Sequence, residues 1–511
     1  FFRYGRTGAR GDRHLLQQPE EPEAFDRRAK MLHVCRARTS LKLRRSSGRR
    51  SRSISHSYAG NHCIGIVNET PPWERRAPLC PRHVTELVND GYRILVQPCN
   101  KRIFTDEEYA AAGAEISSDL SPASVILGIK QVPPENILPE KSYMFFSHTI
   151  KAQPQNMPLL DNIIAKRVRL FDYECISTTG ADGRRPRRLV AFGRFAGMAG
   201  MVDIMQGLGQ RLLLQGYGTP FLNCPPTYTH TGLSAVERTI GEVGEQLSRR
   251  GLPEGISPLV FLFTGTGNVS KGAQEVFRML PHRMVDVSEL PSLVARVRRG
   301  ELPRDVLYGA VAEARHMVRR ADGGPFDRAD YACNPASYKP VFGEVARHAS
   351  VLANCMYWDA RFPKLLTKAE MRRLALGTTD GRAGSDGGNG SGDGSGSGGR
   401  SRLLAVADIT CDVGGSVEFL DRCTTVQRPF FLYDPLEPSV AVHEPILMMG
   451  LDILPSELPL DASLHFGDAI SPFVRAVASA ASANDLSHLP PELAMACVAS
   501  HGQLAERFRY I

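Results

Sequence analysis

Apolar positions along this chain fall into two rhythms, which alternate from residue 62 onward. Short unbroken runs at 62–67, 92–97, 124–130, 143–148, 168–172, 259–263, 306–311, 349–358 and 403–408 read as buried strands or buried segments. Stretches with helical spacing lie between them, at 81–90, 154–165, 191–215 and 234–249. Thr105 with Glu108, and Thr367 with Glu370, are capping pairs that start two further helices. Strands and helices alternating at these lengths predict an α/β fold with parallel sheets, whose ligands sit where the strands end. The long segment 191–215 is studded with small residues and is the expected passage between two domains.

The densest signal is 258–286. A buried strand runs into the turn Gly265-Thr266-Gly267. A helical face follows, made of Val269, Ala273, Val276, Phe277 and Leu280, and a short apolar pair, Met284-Val285, ends on Asp286. Strand, glycine turn, helix, strand and terminal acid describe a dinucleotide-binding βαβ unit. Gly265 makes the turn, Gly267 lets a pyrophosphate approach the backbone, and the helix N-terminus offers N–H groups to the phosphates. Ser270 stands at the third glycine position, with Gly272 two residues on. Asp286, 21 residues after Gly265, is expected to bond a ribose 2′-hydroxyl, which favours NADH; Arg283 is near enough in sequence to receive a 2′-phosphate instead. The plain alternative is a strand–turn–helix that binds no nucleotide.

Charge changes the picture at one end only. The formal net charge is +8, but residues 31–60 hold eight Arg or Lys and no acid, and 61–511 sum to −2. The body is near neutral, and a nucleic-acid partner loses its support. The stretch from Met31, rich in Arg and Ser and free of acids, reads as a mitochondrial transit peptide; a disordered basic tail or a nuclear address are the other readings. Residues 1–60 are therefore kept out of the fold. No apolar run approaches the roughly 18 residues of a membrane span. The 11 cysteines are scattered without metal-ligand spacing, which suits a reducing compartment. Residues 377–400 hold 11 glycines in 24 positions and predict a disordered surface insert.

Polar residues at strand ends are the candidates for chemistry. Lys130 and His148 close two predicted strands and could pass protons at a carbonyl or an imine, although solvated strand ends are the commoner case. Arg76 and Arg188 could grip carboxylates, and Glu174, Asp408 and Asp412 could hold an ammonium or tune a neighbour.

Seven collinear blocks carry a family resemblance: WERRAPLCPRHV, LGIKQVPPE, FFSHTIKAQ, LFDYE, RRLVAFGRFAGMAG, FTGTGNVSKGAQ and DITCDVGGSVEF. Together they resemble the lysine–2-oxoglutarate reductase half of the bifunctional mitochondrial enzymes of lysine breakdown. The likeness extends to fungal saccharopine dehydrogenases and, more distantly, to alanine dehydrogenase and transhydrogenase. It implies two Rossmann-like domains with a cleft between them, the C-terminal segment returning to the first. The expected limits are 62–190 for a substrate domain, 191–412 for the dinucleotide domain with its insert, and 413–511 for the return.

It implies the reductive condensation of L-lysine with 2-oxoglutarate to saccharopine, with Lys130 and His148 as acid/base pair. Arg76 and Arg188 would bind substrate carboxylates, Glu174 would tune the lysine, and Asp412 would line the substrate site. It implies NADPH, in a mitochondrial matrix, no metal and no membrane, and leaves a homo-oligomer open. The saccharopine-oxidising half to which such reductases are normally fused is absent from these residues, so only the first reaction is expected. The competing readings are an alanine-dehydrogenase-like enzyme and a non-catalytic dinucleotide-binding module.

Overall fold

The structure, a computed structural model, describes residues 62–178, 187–377, 401–436, 445–480 and 486–511. The basic segment 31–60 and residues 378–400 of the glycine-rich insert lie outside the described residues. In chain order the strands are β1 (Cys63–Ile66), β2 (Arg93–Val96), β3 (Glu115–Ile116), β4 (Val125–Leu127), β5 (Ser142–Phe145) and β6 (Arg169–Asp172). The next group comprises β7 (Val260–Thr264), β8 (His282–Met284), β9 (Leu307–Ala312), β10 (Val318–Arg320), β11 (Tyr338–Pro340), β12 (Val351–Asn354), β13 (Ala405–Asp408), β14 (Phe431–Tyr433) and β15 (Ile446–Met449). β16 (Cys497–Ser500) and β17 (Gln503–Leu504) close the chain.

Two large sheets result. The first has the order β17-β16-β6-β5-β4-β1-β2-β3 and is parallel from β6 to β3, with β16 antiparallel to β6. The second has the order β14-β15-β13-β12-β7-β9-β8 and is parallel except for β14. Of its inner strands, β7, β12, β13 and β15 are buried at every position and β9 at all but Val311, as helices on both faces require. The expected capping pairs form: Glu108 N–H donates to Thr105 Oγ1 at 3.2 Å and Glu370 N–H to Thr367 Oγ1 at 3.1 Å.

The passage between sheets is the helix Gly193–Leu214. A Cβ on its Gly197 would stand 1.9 Å from the Val269 carbonyl oxygen, and one on Gly272 would stand 2.0 Å from that of Arg194. This helix and the helix Asn268–Phe277 therefore touch backbone to backbone, which only glycine permits. Ser270 is buried and accepts from Gln274 Nε2 at 2.9 Å; the close contact expected of a third glycine is made by Gly272.

Two expectations change. Both β14 and β15 belong to the second sheet, so the return to the first begins after Met449, not at residue 413. The apolar run of β15 pairs in register with β13 before the chain leaves. The strand preceding Asp286 is also misplaced in the sequence reading. β8 pairs with β9 alone and forms the sheet edge, while the strand beside β7 is β9. A helix and a further strand follow β8 before the position next to β7 is filled, so chain order and sheet order differ.

Candidate functional site

The C-terminal ends of β1, β4, β5 and β6 gather most of the predicted polar residues. Lys130 and His148 follow the neighbouring parallel strands β4 and β5, and a polar clamp joins their loops. Gln131 Nε2 donates to the Ser147 carbonyl and, at 3.0 Å, to Asn156 Oδ1. Asn156 Nδ2 in turn donates to the His148 carbonyl at 3.1 Å. His148 itself takes a left-handed backbone, φ 54°, unusual for a side chain of its size and a mark of a position held by its surroundings.

The His148 imidazole faces a partly buried acid. Its Nδ1 lies 3.7 Å from Glu174 Oε2, a Coulombic rather than a hydrogen-bonding distance. Arg188 Nη2 donates to the other oxygen, Glu174 Oε1, at 3.0 Å. Burial pushes the Glu174 carboxyl up, but His148, Arg188 and Lys151 outweigh it and hold the group down at about 2. Glu174 is thus a fixed negative charge between the His148 ring and the Arg188 guanidinium. Behind it Asp172, fully buried, accepts from the Ser147 hydroxyl and from Glu174 N–H at 2.8 Å; burial lifts it to about 6.

Around Lys130 the acids are ones that the sequence reading passed over. Glu69, three residues beyond β1, accepts from the backbone N–H groups of Ile129 and Lys130. Burial and the nearby Glu74 charge raise its carboxyl to about 7, against the backbone donors and Arg76. An acid that titrates near neutrality beside a lysine is suited to proton transfer. Asn68, Glu69, Gln97, Lys130, Gln131 and Asn136 line a cavity of about 360 Å³ at this edge. The strand-end rule that selects Lys130 and His148 would also have selected Glu69.

Arg76 is not a free carboxylate grip. Its Nε and Nη2 hold Glu74 at 2.8 and 2.6 Å, and its side chain is 4 % exposed with the guanidinium 4.1 Å from the Phe192 ring centroid. Burial would raise Glu74, but Arg76 and Lys130 together bring it below the usual range. Among the described residues Arg76 Nη1 carries no hydrogen bond and is the donor left for a ligand. Ser456, on the returning segment, donates to Glu74 Oε2 at 3.3 Å, so the C-terminal part of the chain helps to build this site.

The second sheet meets the first through Lys151, whose Nζ lies 5.8 Å from the Tyr357 ring centroid beyond β12. Lys151 also opposes the burial that raises Asp412, beyond β13. Asp408 serves the scaffold. Asn354 Nδ2 donates to Asp408 Oδ1 at 3.0 Å and to Ser416 Oγ at 2.9 Å, and Thr264 Oγ1 donates to Asn354 Oδ1 at 2.9 Å, tying β7, β12 and β13 together. Burial lifts Asp408 to about 6.

The glycine turn fits a dinucleotide. Gly265 has φ +75°, which a side chain would strain, and a Cβ on Gly267 would meet nothing within 4 Å, leaving the backbone open to a phosphate. The first turn of the helix Asn268–Phe277 adds N–H groups with no partner within the helix. Asp286 lies apart from that cradle, at the edge strand, where its Oδ1 accepts from Ser288 N and Oγ at 2.9 and 2.6 Å. Those bonds pull its carboxyl down. Among the described residues no group of three or more His, Cys, Asp or Glu is placed to hold a metal, and no helix is long and apolar enough to cross a membrane.

Residues 65–199 match the family described as alanine dehydrogenase/PNT, N-terminal domain. The chain is 44 % identical over 470 residues to alpha-aminoadipic semialdehyde synthase of Arabidopsis thaliana, covering 88 % of this chain and 41 % of that protein. It is 37 % identical over 473 residues to the Bos taurus protein of the same name, described as mitochondrial, covering 91 % of this chain and 49 % of that one. Saccharopine dehydrogenase [NAD(+), L-lysine-forming] of Emericella nidulans is 23 % identical over 81 % of this chain and 91 % of its own length. The chain spans less than half the length of the two synthases. Among solved structures, an L-alanine dehydrogenase superposes with a TM-score of 0.52 at 16 % identity, over 88 % of this chain and 98 % of that one, which shows a shared fold. The doubly wound sheets, the glycine cradle and these likenesses together identify the chain as a homologue of alpha-aminoadipic semialdehyde synthase with the two-sheet fold of alanine dehydrogenase.

Proposed function

We propose that the chain is the lysine–2-oxoglutarate reductase portion of such a synthase, joining L-lysine and 2-oxoglutarate to saccharopine with NADPH. One observation carries the reading: Lys130 beside Glu69, and His148 beside the fixed charge of Glu174, share one edge of the first sheet. Condensing an amine with a ketone needs protons moved twice, onto the departing hydroxyl and off the attacking nitrogen. Lys130 and His148 carry those protons, and Glu69 supplies an acid near neutrality. Glu174, 3.7 Å from the His148 Nδ1, fixes the side of the ring that faces the protein.

Arg188, and Arg76 through Nη1, meet the substrate carboxylates; Asp412 faces the lysine end. Gly265 and Gly267 receive the pyrophosphate, with the helix that begins at Asn268 and contains Ser270. When bound, the dinucleotide supplies the hydride that reduces the carbon–nitrogen double bond. The reductase acts in the mitochondrial matrix, in keeping with the basic segment from Met31 and the name of the bovine relative. A saccharopine-oxidising half accompanies it in the whole protein.

The test is the loss of reduced-nicotinamide absorbance with lysine and 2-oxoglutarate together, each omitted in turn, and with NADPH and NADH compared. Turnover that requires both substrates is the expected outcome. Turnover on pyruvate and ammonia instead would make the chain an alanine-dehydrogenase-like enzyme, and no turnover would leave a nucleotide-binding module.

A further inference from the structure

With Asp286 at the sheet edge, the adenosine end of a dinucleotide needs other partners, and β9 supplies them. β9 lies beside β7 in parallel register, and Gly265 N–H donates to the Ala312 carbonyl at 2.8 Å. The residues after β9, Glu313 to His316, therefore stand directly against the glycine turn. In a doubly wound sheet the ribose 2′-position is read at the end of the strand next to the glycine strand.

Two features flank this segment. On one side is a cavity of about 300 Å³, walled by Ala314, Tyr331, Met356, Tyr357, Trp358 and Phe362. Its aromatic lining fits a flat heterocycle better than it fits a second charged group. Arg328 stands at the rim of the cavity and makes no hydrogen bond or ion pair among the described residues. On the other side is a polar basin of about 430 Å³ lined by Arg315, His316 and Asp286, among others. Arg315 is 57 % exposed along its side chain, and its nearest acid is Glu313, with Nε to Oε2 at 3.5 Å. A guanidinium so loosely held is available to a dianion, for which its planar fork is well matched.

We propose that the adenine seats in the aromatic cavity and that Arg315, with Arg328, reads a 2′-phosphate, so that the choice between phosphorylated and unphosphorylated dinucleotide is made after β9 and not at Asp286. The proposal rests on the dinucleotide reading above and adds which residues select the cofactor. Glu313 is the opposing group, since its carboxylate would accept a free 2′-hydroxyl and repel a phosphate. Asp286 lines the same basin as Arg315, but neither acid is hydrogen-bonded to the Arg315 fork, which stays open to a phosphate.

Calorimetric titration of the full chain with adenosine 2′,5′-bisphosphate and, separately, with 5′-AMP reads this without any turnover. The wild type is expected to bind the bisphosphate at least ~10-fold more tightly. Arg315→Ala should remove most of that preference while changing 5′-AMP affinity by less than ~2-fold, and Arg328→Ala should remove a smaller part. Arg315→Lys, which keeps charge and fold but loses the fork, should fall between. Asp286→Asn, which removes an anion from the same basin, should not lower the preference. A wild type that binds 5′-AMP as tightly as the bisphosphate, or neither nucleotide, overturns the proposal. So does a preference that survives in Arg315→Ala/Arg328→Ala, or one that is lost in Asp286→Asn. A chain that turns over lysine and 2-oxoglutarate with a preference indifferent to Arg315 defeats this inference alone. One that binds the bisphosphate through Arg315 but has no reductase activity defeats the proposed function alone.

Discussion

The two sheets present opposite kinds of strand end. At the first, long charged side chains are already matched to one another: Arg76 with Glu74, Arg188 with Glu174, and Glu69 with the backbone before Lys130. At the second, the surface proposed to receive the pyrophosphate is bare backbone, with Gly265 turned to φ +75° and Gly267 open to solvent. A site made of charges can be retuned by any group that enters or leaves it, because each carboxyl answers to its neighbours. A site made of missing side chains answers only to volume. The first should therefore fail through chemistry and pH, the second through sterics.

The sharpest way to break that contrast lies behind the cradle, at Gly197. Its Cβ would sit 1.9 Å from a backbone oxygen that cannot turn aside, so Gly197→Ala should cost about 3 kcal/mol or more in chemical denaturation. Loss of less than about 1 kcal/mol would mean that the two helices part freely. Lys130→Met comes next. Its turnover should drop by roughly 10²-fold while binding of the dinucleotide, measured by fluorescence, stays within ~2-fold. Weakened nucleotide binding would merge the two sites that the contrast separates. Gly267→Val should do the reverse, weakening dinucleotide binding by about 10-fold with an unchanged unfolding midpoint, since its side chain would occupy only the open face.

The smallest effect is the pH dependence of stability. Glu69 is raised from an ordinary carboxylate value to about 7, so the folded chain holds that proton more tightly than the unfolded one. Its contribution is complete below about 4.5 and is lost as the pH rises through about 7. Asp172 and Asp408, raised to about 6, act in the same direction. Glu174, held down at about 2, acts oppositely: its stabilisation is present above the ordinary carboxylate range and is lost as the pH falls toward 2. Glu69→Gln should flatten the decline between pH 5 and 7 without abolishing it. An unaltered slope would show that Glu69 is charged in the folded chain throughout.

What could be read from the chain beforehand was whatever local chemistry determines. Apolar runs marked β1, β2, β6, β7 and β13 to within a few residues, and Thr105 and Thr367 announced their helices. Lys130 and His148 stood out because strand ends in parallel sheets point at ligands. Glu69 obeys the same rule, whereas Glu74 does not stand out, because an acid in a proline-rich loop looks solvated until the returning segment, through Ser456 and Ser463, covers that loop. The edge position of the strand before Asp286 was hidden for a related reason. Strand order is a long-range property, and nothing near Met284 says that β9 will take the place beside β7. The late return of the chain, after β15 and not at residue 413, was hidden in the same way.

The backbone contact at Gly197 and Gly272 has a mechanical consequence. A Cβ on Gly200 or Gly207 would also strike residues of the second lobe, Ile409 and Leu447, so the helix Gly193–Leu214 is welded to that lobe along its length. It can act only as a rigid arm. The chain crosses between the two sheets just before Gly193 and in the stretch after Met449. At that place Phe192 stacks on Phe466 of the returning helix, ring centroids 4.6 Å apart, and Arg76 lies on the other side of the same ring at 4.1 Å. One proposed carboxylate receptor and the packing of the returning segment thus share a single aromatic ring, so a change at Phe192 would be felt by both.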